Sequence, residues 1–132
     1  MNRLIDANIV LRYLIADIPE AADRAGQFIQ DGAVLLPEVT CEVVYVLAGY
    51  YEMPRAEICG FLTGFINEVV CPEADVLKTA LAIYKARPKL DFVDAILAAR
   101  HQVLGTPVAT FDKRLLNTIK LIDETGAAFV DK

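Results

Sequence analysis

The chain has 132 residues, 55% hydrophobic and 23% charged, with a formal net charge of −5. This length fits one compact domain over residues 1–132, and the hydrophobic content excludes a disordered chain. The negative charge argues against binding nucleic acid through a broadly basic surface, although metal ions could supply positive charge at one site.

Short apolar strands alternate with helices along the sequence. Strands are predicted at 3–5, 33–36, 69–70, 107–110 and 127–130. Helices are predicted at 8–16, 19–30, 37–50, 54–66, 73–87, 91–104 and 112–117. This alternation is typical of βα units around a parallel sheet. The predicted fold class is therefore α/β, a three-layer α/β/α sandwich with a mostly parallel central sheet.

Four acidic side chains stand alone within or directly after uncharged, mostly apolar runs: Asp6, Glu42, Asp94 and Asp112. Carboxylates are rarely buried without a partner, because desolvating one costs several kcal/mol. Asp6 and Asp112 follow predicted strands, and Asp94 lies in the first turn of a helix. These three are expected at the carboxyl edge of the sheet, where sites of open parallel sheets lie. Glu42, one helical turn beyond the second strand, can reach the same edge.

Carboxylates that converge in this way repel one another, and a divalent cation removes the conflict. Ligands that are all oxygen, without His or Cys, favour Mg²⁺ or Mn²⁺ over zinc. Such ions activate water and stabilise charge on a phosphate group during transfer. The four acids therefore predict a Mg²⁺ or Mn²⁺ site.

Helix capping is the alternative interpretation of three of these acids. Asp6 and Asp112 each precede a predicted helix, where an aspartate can act as N-cap. Asp94 can interact favourably with a helix N-terminus. Glu42 lies in the middle of a helix and has no such role.

Four segments resemble, in order, the motifs of the PIN-domain family: LIDANIVLRYL, LPEVTCEVVYVL, LDFVDAILAAR and VATFDKRL. The similarity runs from about residue 2 to 118 and is greatest to the toxin ribonucleases of VapBC-type toxin–antitoxin pairs. It implies a PIN fold and Mg²⁺- or Mn²⁺-dependent cleavage of RNA phosphodiester bonds.

The resemblance also implies roles for individual residues. The catalytic, metal-binding acids are Asp6, Glu42, Asp94 and Asp112. Asn8 and Thr110 match polar positions that orient the carboxylates or a water. Asp91 matches an acid sometimes found three residues before the third one, and a helix N-cap is its alternative role.

Partners are predicted from the same motifs. Three cations that follow the acids closely are candidates for RNA contact: Arg12, Lys113 and Arg114. Lys85, Arg87 and Lys89 are further candidates for RNA contact, but solvated surface charge is the favoured interpretation of this cluster. His101 is interpreted as a helix-surface residue rather than a catalytic base. A homodimer is expected, with Gly60 and Gly64 at its interface. The resemblance to toxins further implies a cognate antitoxin, whose inhibitory segment should be basic to complement the acids.

Location is predicted from the cysteines and the hydropathy pattern. Cys41, Cys59 and Cys71 have no spacing typical of disulfide frameworks or zinc clusters, which favours reduced thiols. The N-terminus lacks the pattern of a signal peptide, and no apolar run reaches the roughly 20 residues of a membrane helix. We therefore expect a cytoplasmic protein that does not bind membranes.

Two alternative functions make different demands on the chain. A phosphoacceptor receiver domain would need an aspartate after the third strand, where Cys71 and Pro72 stand instead. A non-catalytic binding or scaffold module with the PIN fold is the remaining alternative. Metal titration separates that module from an enzyme.

Overall fold

A computed structural model describes residues 2–129 and shows an α/β chain with a small parallel sheet. The strands are β1 (Arg3–Leu4) and β2 (Ala33–Val34). The helices among the described residues are α1 (Ala7–Ile15), α2 (Pro19–Gln30), α3 (Pro37–Gly49), α4 (Arg55–Ile66), α5 (Ala74–Ala86), α6 (Phe92–Leu104) and α7 (Lys113–Thr125). None of the helices formed by residues 2–129 has the length and apolar character needed to cross a bilayer.

The contacts divide the chain into two compact units, unit one up to Ala74 and unit two from Asp75. In unit one, β1 and β2 pair in parallel, with Arg3 opposite Ala33. The predicted strand at 69–70 contributes a single parallel bridge between Val34 and Val70. This bridge is supported by a hydrogen bond from the Val70 amide to the Ala33 carbonyl, 2.9 Å long. The parallel pairing predicted from the βα alternation is therefore present in unit one.

Prolines and apolar spacing position the helices of unit one. Pro19 and Pro37 occupy the first positions of α2 and α3, where the missing N–H is not needed. Helix α1 packs against α2 and α3, and α3 packs against α4. Leu47 and Phe65 are among the fully buried side chains of this core. Each such residue stabilises the fold by roughly 1.5–3 kcal/mol.

Unit two consists of the helices α5, α6 and α7 with their connecting loops. Helix α6 packs against α7, and Leu115 is buried in the core. The Tyr84 and Phe92 rings meet edge to face, with centroids 5.6 Å apart. Arg87, in the loop after α5, donates from Nη1 to the Ala128 carbonyl at 3.3 Å. This bond ties the loop before α6 to the segment after α7.

Three predictions for unit two differ from the structure. Residues 107–110 form no strand in the part of the chain that the structure describes, and Pro107 has no N–H to donate to a neighbouring strand. The predicted helix at 112–117 corresponds to the first part of the longer α7. This helix continues to Thr125 and is capped by Gly126, whose φ is 84°. The predicted strand at 127–130 is not formed at 127–129, and residue 130 lies outside the described range. The prediction of a single domain stays a prediction.

His101 links the end of α6 to α7. Its Nδ1 lies 2.9 Å from the Thr106 carbonyl oxygen, and its Nε2 lies 2.6 Å from Asp123 Oδ1. Both partners accept hydrogen bonds, so both ring nitrogens must carry a proton to make both bonds. The hydrogen bond to Asp123, followed by that to Thr106, accordingly raises the pKa of His101.

We expect the contribution of His101 to stability to depend on pH. Because its pKa is raised in the folded state, the stabilisation is fully present below the ordinary value of 6.5. It is lost as the pH rises through the raised pKa. Asp123 is 60% exposed, so solvent screening limits the effect to about 1 kcal/mol or less. Urea denaturation across this pH range should show His101→Ala approaching the wild type in unfolding free energy as the pH rises.

Asp123→Asn serves as the matched variant, because it removes the same ion pair from the other side. It should reduce the pH dependence of stability as His101→Ala does. A pH-independent difference between His101→Ala and the wild type would contradict the charged pair.

Candidate active site

Asp6 lies where β1 ends and α1 begins in unit one. It is the N-cap of α1, and its Oδ1 accepts a hydrogen bond of 3.0 Å from the Ile9 amide. The neighbouring Ile5 and Ala7 are buried, whereas the Asp6 side chain is exposed. Buried neighbours on both sides hold the carboxylate at the end of the strand. The cap occupies one carboxylate oxygen, so the other can bind a ligand.

Glu42 lies on the exposed side of α3, also in unit one. The next residues, Val43 and Val44, are buried in the core. The apolar surroundings of Glu42 in the sequence therefore belong to the buried face of its helix. Its carboxylate faces solvent and has no capping role.

The acids of unit two lie at the N-termini of two packed helices. Asp91 is the N-cap of α6 and accepts from the Asp94 amide at 2.8 Å. Asp112 is the N-cap of α7, and its Oδ1 accepts from the Arg114 and Leu115 amides at 2.8 and 3.1 Å. The Thr110 hydroxyl accepts from the Asp112 amide at 3.0 Å. The loop before α7 is thus held in a fixed conformation around Asp112.

Asp94 is the half-buried member of this group. Its pKa is raised by burial first, and then by the negative charges of Asp91 and Asp112 and a hydrogen bond with Asp91. The structure therefore brings Asp91, Asp94 and Asp112 close enough for their charges to interact. The predicted convergence of all four acids, with Asp6 and Glu42 included, stays a prediction.

The carboxylates of unit two fit a hydrated, hard cation. Among residues 2–129, no group of three or more His, Cys, Asp or Glu side chains is placed to hold a metal ion. Mg²⁺ does not require such a cage, because it usually keeps several waters and binds one or two carboxylates together with substrate phosphates. A cation between Asp94 and Asp112 would relieve the repulsion that raises the Asp94 pKa.

The polar residues predicted beside the first acid share a cleft in unit one. Asn8 and Arg12 line this cleft of about 490 Å³ together with Tyr50 and Tyr51. The Arg12 guanidinium donates to Asp17 Oδ1 at 3.4 Å. The two tyrosine rings meet edge to face with centroids 4.9 Å apart. The cleft thus combines a cation, an amide and aromatic rings.

The structure adds three residues that the sequence analysis did not place near the acids. Arg87 and Lys89 line one cleft of unit two together with Arg114, although the sequence suggested solvated surface charge. Phe111 is fully exposed immediately before Asp112. Their closeness to acids in the sequence could have indicated these positions. Lys89 is two residues from Asp91, and Phe111 adjoins Asp112. Lys113 is exposed at the start of α7.

Comparison with known proteins identifies the family. The PIN domain family matches residues 3–121, which is most of the chain. No curated protein and no solved structure matches it. The PIN domain is generally a metal-dependent nuclease fold, and its members usually bind divalent metal ions. The match contains all four motifs found in the sequence, and the chain therefore belongs to the PIN domain family.

Proposed function

We propose that this protein is a Mg²⁺- or Mn²⁺-dependent endoribonuclease that hydrolyses RNA phosphodiester bonds. Its catalytic, metal-binding acids are Asp6, Glu42, Asp94 and Asp112. The observation that carries the proposal is the placement of Asp91, Asp94 and Asp112 at the N-termini of the packed helices α6 and α7. Burial and the neighbouring charges also raise the pKa of Asp94. Carboxylates that repel one another at two helix N-termini destabilise the metal-free fold. Binding of a cation at these carboxylates would explain why the protein has them there. Membership of the PIN domain family supports the same activity.

The chain's own residues would hold and orient the reacting groups. Asp91 and Asp112 each use Oδ1 for capping, which fixes the direction of the second carboxylate oxygen. Thr110 holds the Asp112 backbone, and Asn8 is the corresponding polar residue beside Asp6. A bound divalent cation supplies an activated water and offsets charge on the phosphate. His101 bonds to Thr106 and Asp123, and these bonds link α6 to α7.

We propose further that the enzyme is the toxin of a toxin–antitoxin pair. The support is the resemblance of its four motifs to toxin ribonucleases, together with a net charge of −5. A toxin ribonuclease needs a protein inhibitor in the cell that makes it, and an acidic site is complemented by a basic segment. An antitoxin Arg or Lys among the four acids would compete with the cation.

We also propose that the protein is a cytoplasmic homodimer. Helices α3 and α4 expose the large side chains Tyr45 and Phe61, which are 80% and 40% accessible. Gly60 and Gly64 on α4 have open space where a Cβ would stand, so another backbone could approach closely. These features support an interface on unit one. RNA contacts are proposed for Arg12, Lys113 and Arg114.

Catalysis should depend on the cation and on the acids. We expect the purified protein to cleave RNA with Mg²⁺ or Mn²⁺ and to stop when EDTA is added. Asp6→Asn or Asp94→Asn should lower the cleavage rate at least roughly 100-fold, because each removes a charged metal ligand. Circular dichroism should show that the fold is retained.

Asp75→Asn is the matched control for Asp94→Asn. Both aspartates lie in the first turn of a helix in unit two, but Asp75 is not one of the proposed ligands. The Asp75→Asn variant should cleave RNA at the wild-type rate. Full activity in EDTA would refute the metal mechanism, and absence of both cleavage and Mn²⁺ uptake would favour a non-catalytic PIN module.

The metal-free protein should be stabilised or unchanged by Asp94→Asn. The Asp94 pKa is raised in the folded state, so the fold loses stability as the pH rises through that value, and charged Asp94 opposes folding at neutral pH. Neutralising it should add about 1 kcal/mol or less after solvent screening. Thermal denaturation in EDTA measures this change.

Mn²⁺ should then raise the Tm of the wild type more than that of Asp94→Asn, because the ion binds the folded state through this carboxylate. Asp75→Asn should show the full wild-type shift. Equal shifts in Asp94→Asn and the wild type would place the ion elsewhere.

Expression of the chain alone should arrest bacterial growth if it is a toxin. Co-expression of a neighbouring gene that encodes a small protein with a basic segment should restore growth. Asp6→Asn should abolish the arrest while the protein accumulates to the same level. Harmless wild-type protein at high expression, or an equally toxic Asp6→Asn variant, would contradict the toxin role.

A further inference from the structure

A basic cleft in unit two adjoins the acids. It has a volume of about 470 Å³ and is lined by residues 86–90, Arg114 and Asn117. Three of these residues are cationic: Arg87, Lys89 and Arg114. No acidic residue belongs to this lining in the part of the chain that the structure describes. In a chain of net charge −5, such a cleft is a local reversal of charge.

The walls of the cleft are fixed by hydrogen bonds. Arg87 donates to the Ala128 carbonyl at 3.3 Å. The Arg114 amide donates to Asp112 Oδ1 at 2.8 Å, and the Arg114 carbonyl accepts from the Thr118 hydroxyl at 2.8 Å. The acid that caps α7 therefore also holds the backbone of a cleft residue. The Arg114 backbone and the Asp112 carboxylate are therefore held next to each other.

Phe111 directly precedes the same acid in the chain. Its side chain is fully exposed, and it stands between Thr110 and Asp112, which are joined by a hydrogen bond of 3.0 Å. A single exposed apolar side chain is ordinary in itself. Here the ring is held in a short ordered loop, next to a carboxylate that interacts with Asp94. Phe111, Asp112 and Arg114 therefore lie within four residues of the chain, and Arg114 lines the basic cleft.

We infer that Phe111 and the basic cleft form a binding site for single-stranded RNA beside the acids, with a base stacked on the Phe111 ring and a backbone phosphate in the cleft. This inference rests on the proposed ribonuclease function and specifies its substrate class.

The chemistry of the side chains matches this ligand. Guanidinium and ammonium groups bind phosphate oxygens, and the Asn117 amide can donate to one. Aromatic rings stack on any base, which makes such contacts tolerant of sequence. A duplex buries the faces of its bases, whereas a single strand leaves them available to Phe111. The acids repel RNA, so fixed cations beside them are needed to hold the strand.

The test of the cleft is RNA binding by the full chain in EDTA, where cleavage does not occur. Fluorescence anisotropy with a short unstructured RNA gives the affinity at several salt concentrations. Lys89→Gln combined with Arg114→Gln should weaken binding at least roughly 10-fold. It should also reduce the slope of log affinity against log salt by about 0.7 for each phosphate that the variant no longer neutralises.

The matched control combines Lys85→Gln with Arg24→Gln. It makes the same two substitutions and removes the same charge at exposed positions that do not line the cleft. Its salt slope should equal that of the wild type. The combined Lys89→Arg and Arg114→Lys variant keeps both charges and should restore the slope.

The test of Phe111 separates stacking from charge. Phe111→Ala should weaken binding of the single strand roughly 5- to 100-fold without changing the salt slope, and Phe111→Trp should retain the affinity. Leu104→Ala is the control, because Leu104 is also exposed but lies at the end of α6. Binding of a duplex with the same sequence should not respond to Phe111→Ala.

Failure of this inference can be told from failure of the proposed function. If the wild type cleaves RNA with Mn²⁺ but the cleft and Phe111 variants bind like their controls, the inference is overturned and the ribonuclease stands. If the wild type neither cleaves nor binds RNA, both fail. Binding of poly-glutamate but not RNA through the cleft cations would assign the cleft to an acidic protein and overturn the inference. Equal effects on duplex and single strand would overturn the stacking interaction.

Discussion

Aspartate capping of helix N-termini is the interaction on which the candidate site depends. Asp6, Asp91 and Asp112 each accept backbone N–H groups at the start of a helix, at distances of 2.8 to 3.1 Å. Capping and metal binding were alternative interpretations in the sequence, but they do not compete for the same oxygen atom. The cap fixes the carboxylate against the helix, and the partial positive charge of the N-terminus offsets some of its negative charge. The interaction that begins the helix therefore also presents the acid.

Much of the local structure could be predicted because its signals are short-range. Helix α2 has the predicted bounds, since Pro19 begins it and Asp31 with Gly32 follows its end. One argument predicted that acids would lie close together: a carboxylate in an apolar segment is rarely buried without a partner or ligand. Asp94 supports this argument, because burial raises its pKa most and its neighbours add to the effect. The argument is weaker for Glu42. This residue is exposed on α3, and its apolar neighbours belong to the buried face of the same helix.

The features that the sequence did not predict depend on packing between distant segments. The segment 107–110 has the composition of a strand, but a strand also needs a partner, and composition does not supply one. Helix α7 extends to Thr125 because Thr118, Ile119 and Ile122 are buried. Thr118 satisfies its hydroxyl within the helix by donating to the Arg114 carbonyl, so a β-branched polar residue is tolerated there. The basic cleft joins residues 86–90 to Arg114 and Asn117, which are far apart in the sequence.

The proposed action on RNA would require an acidic protein to supply positive charge in two forms. A bound divalent cation would neutralise the acids at the site itself. Fixed cations such as Arg114 remain in place, and Arg114 is attached through its own amide to the acid at Asp112. If Arg114 binds a phosphate as proposed, the same helix cap therefore positions both its backbone and the carboxylate. The N-terminus of α7 thus relates where the RNA would be held to where its backbone would be cut, and the remaining negative surface limits binding elsewhere.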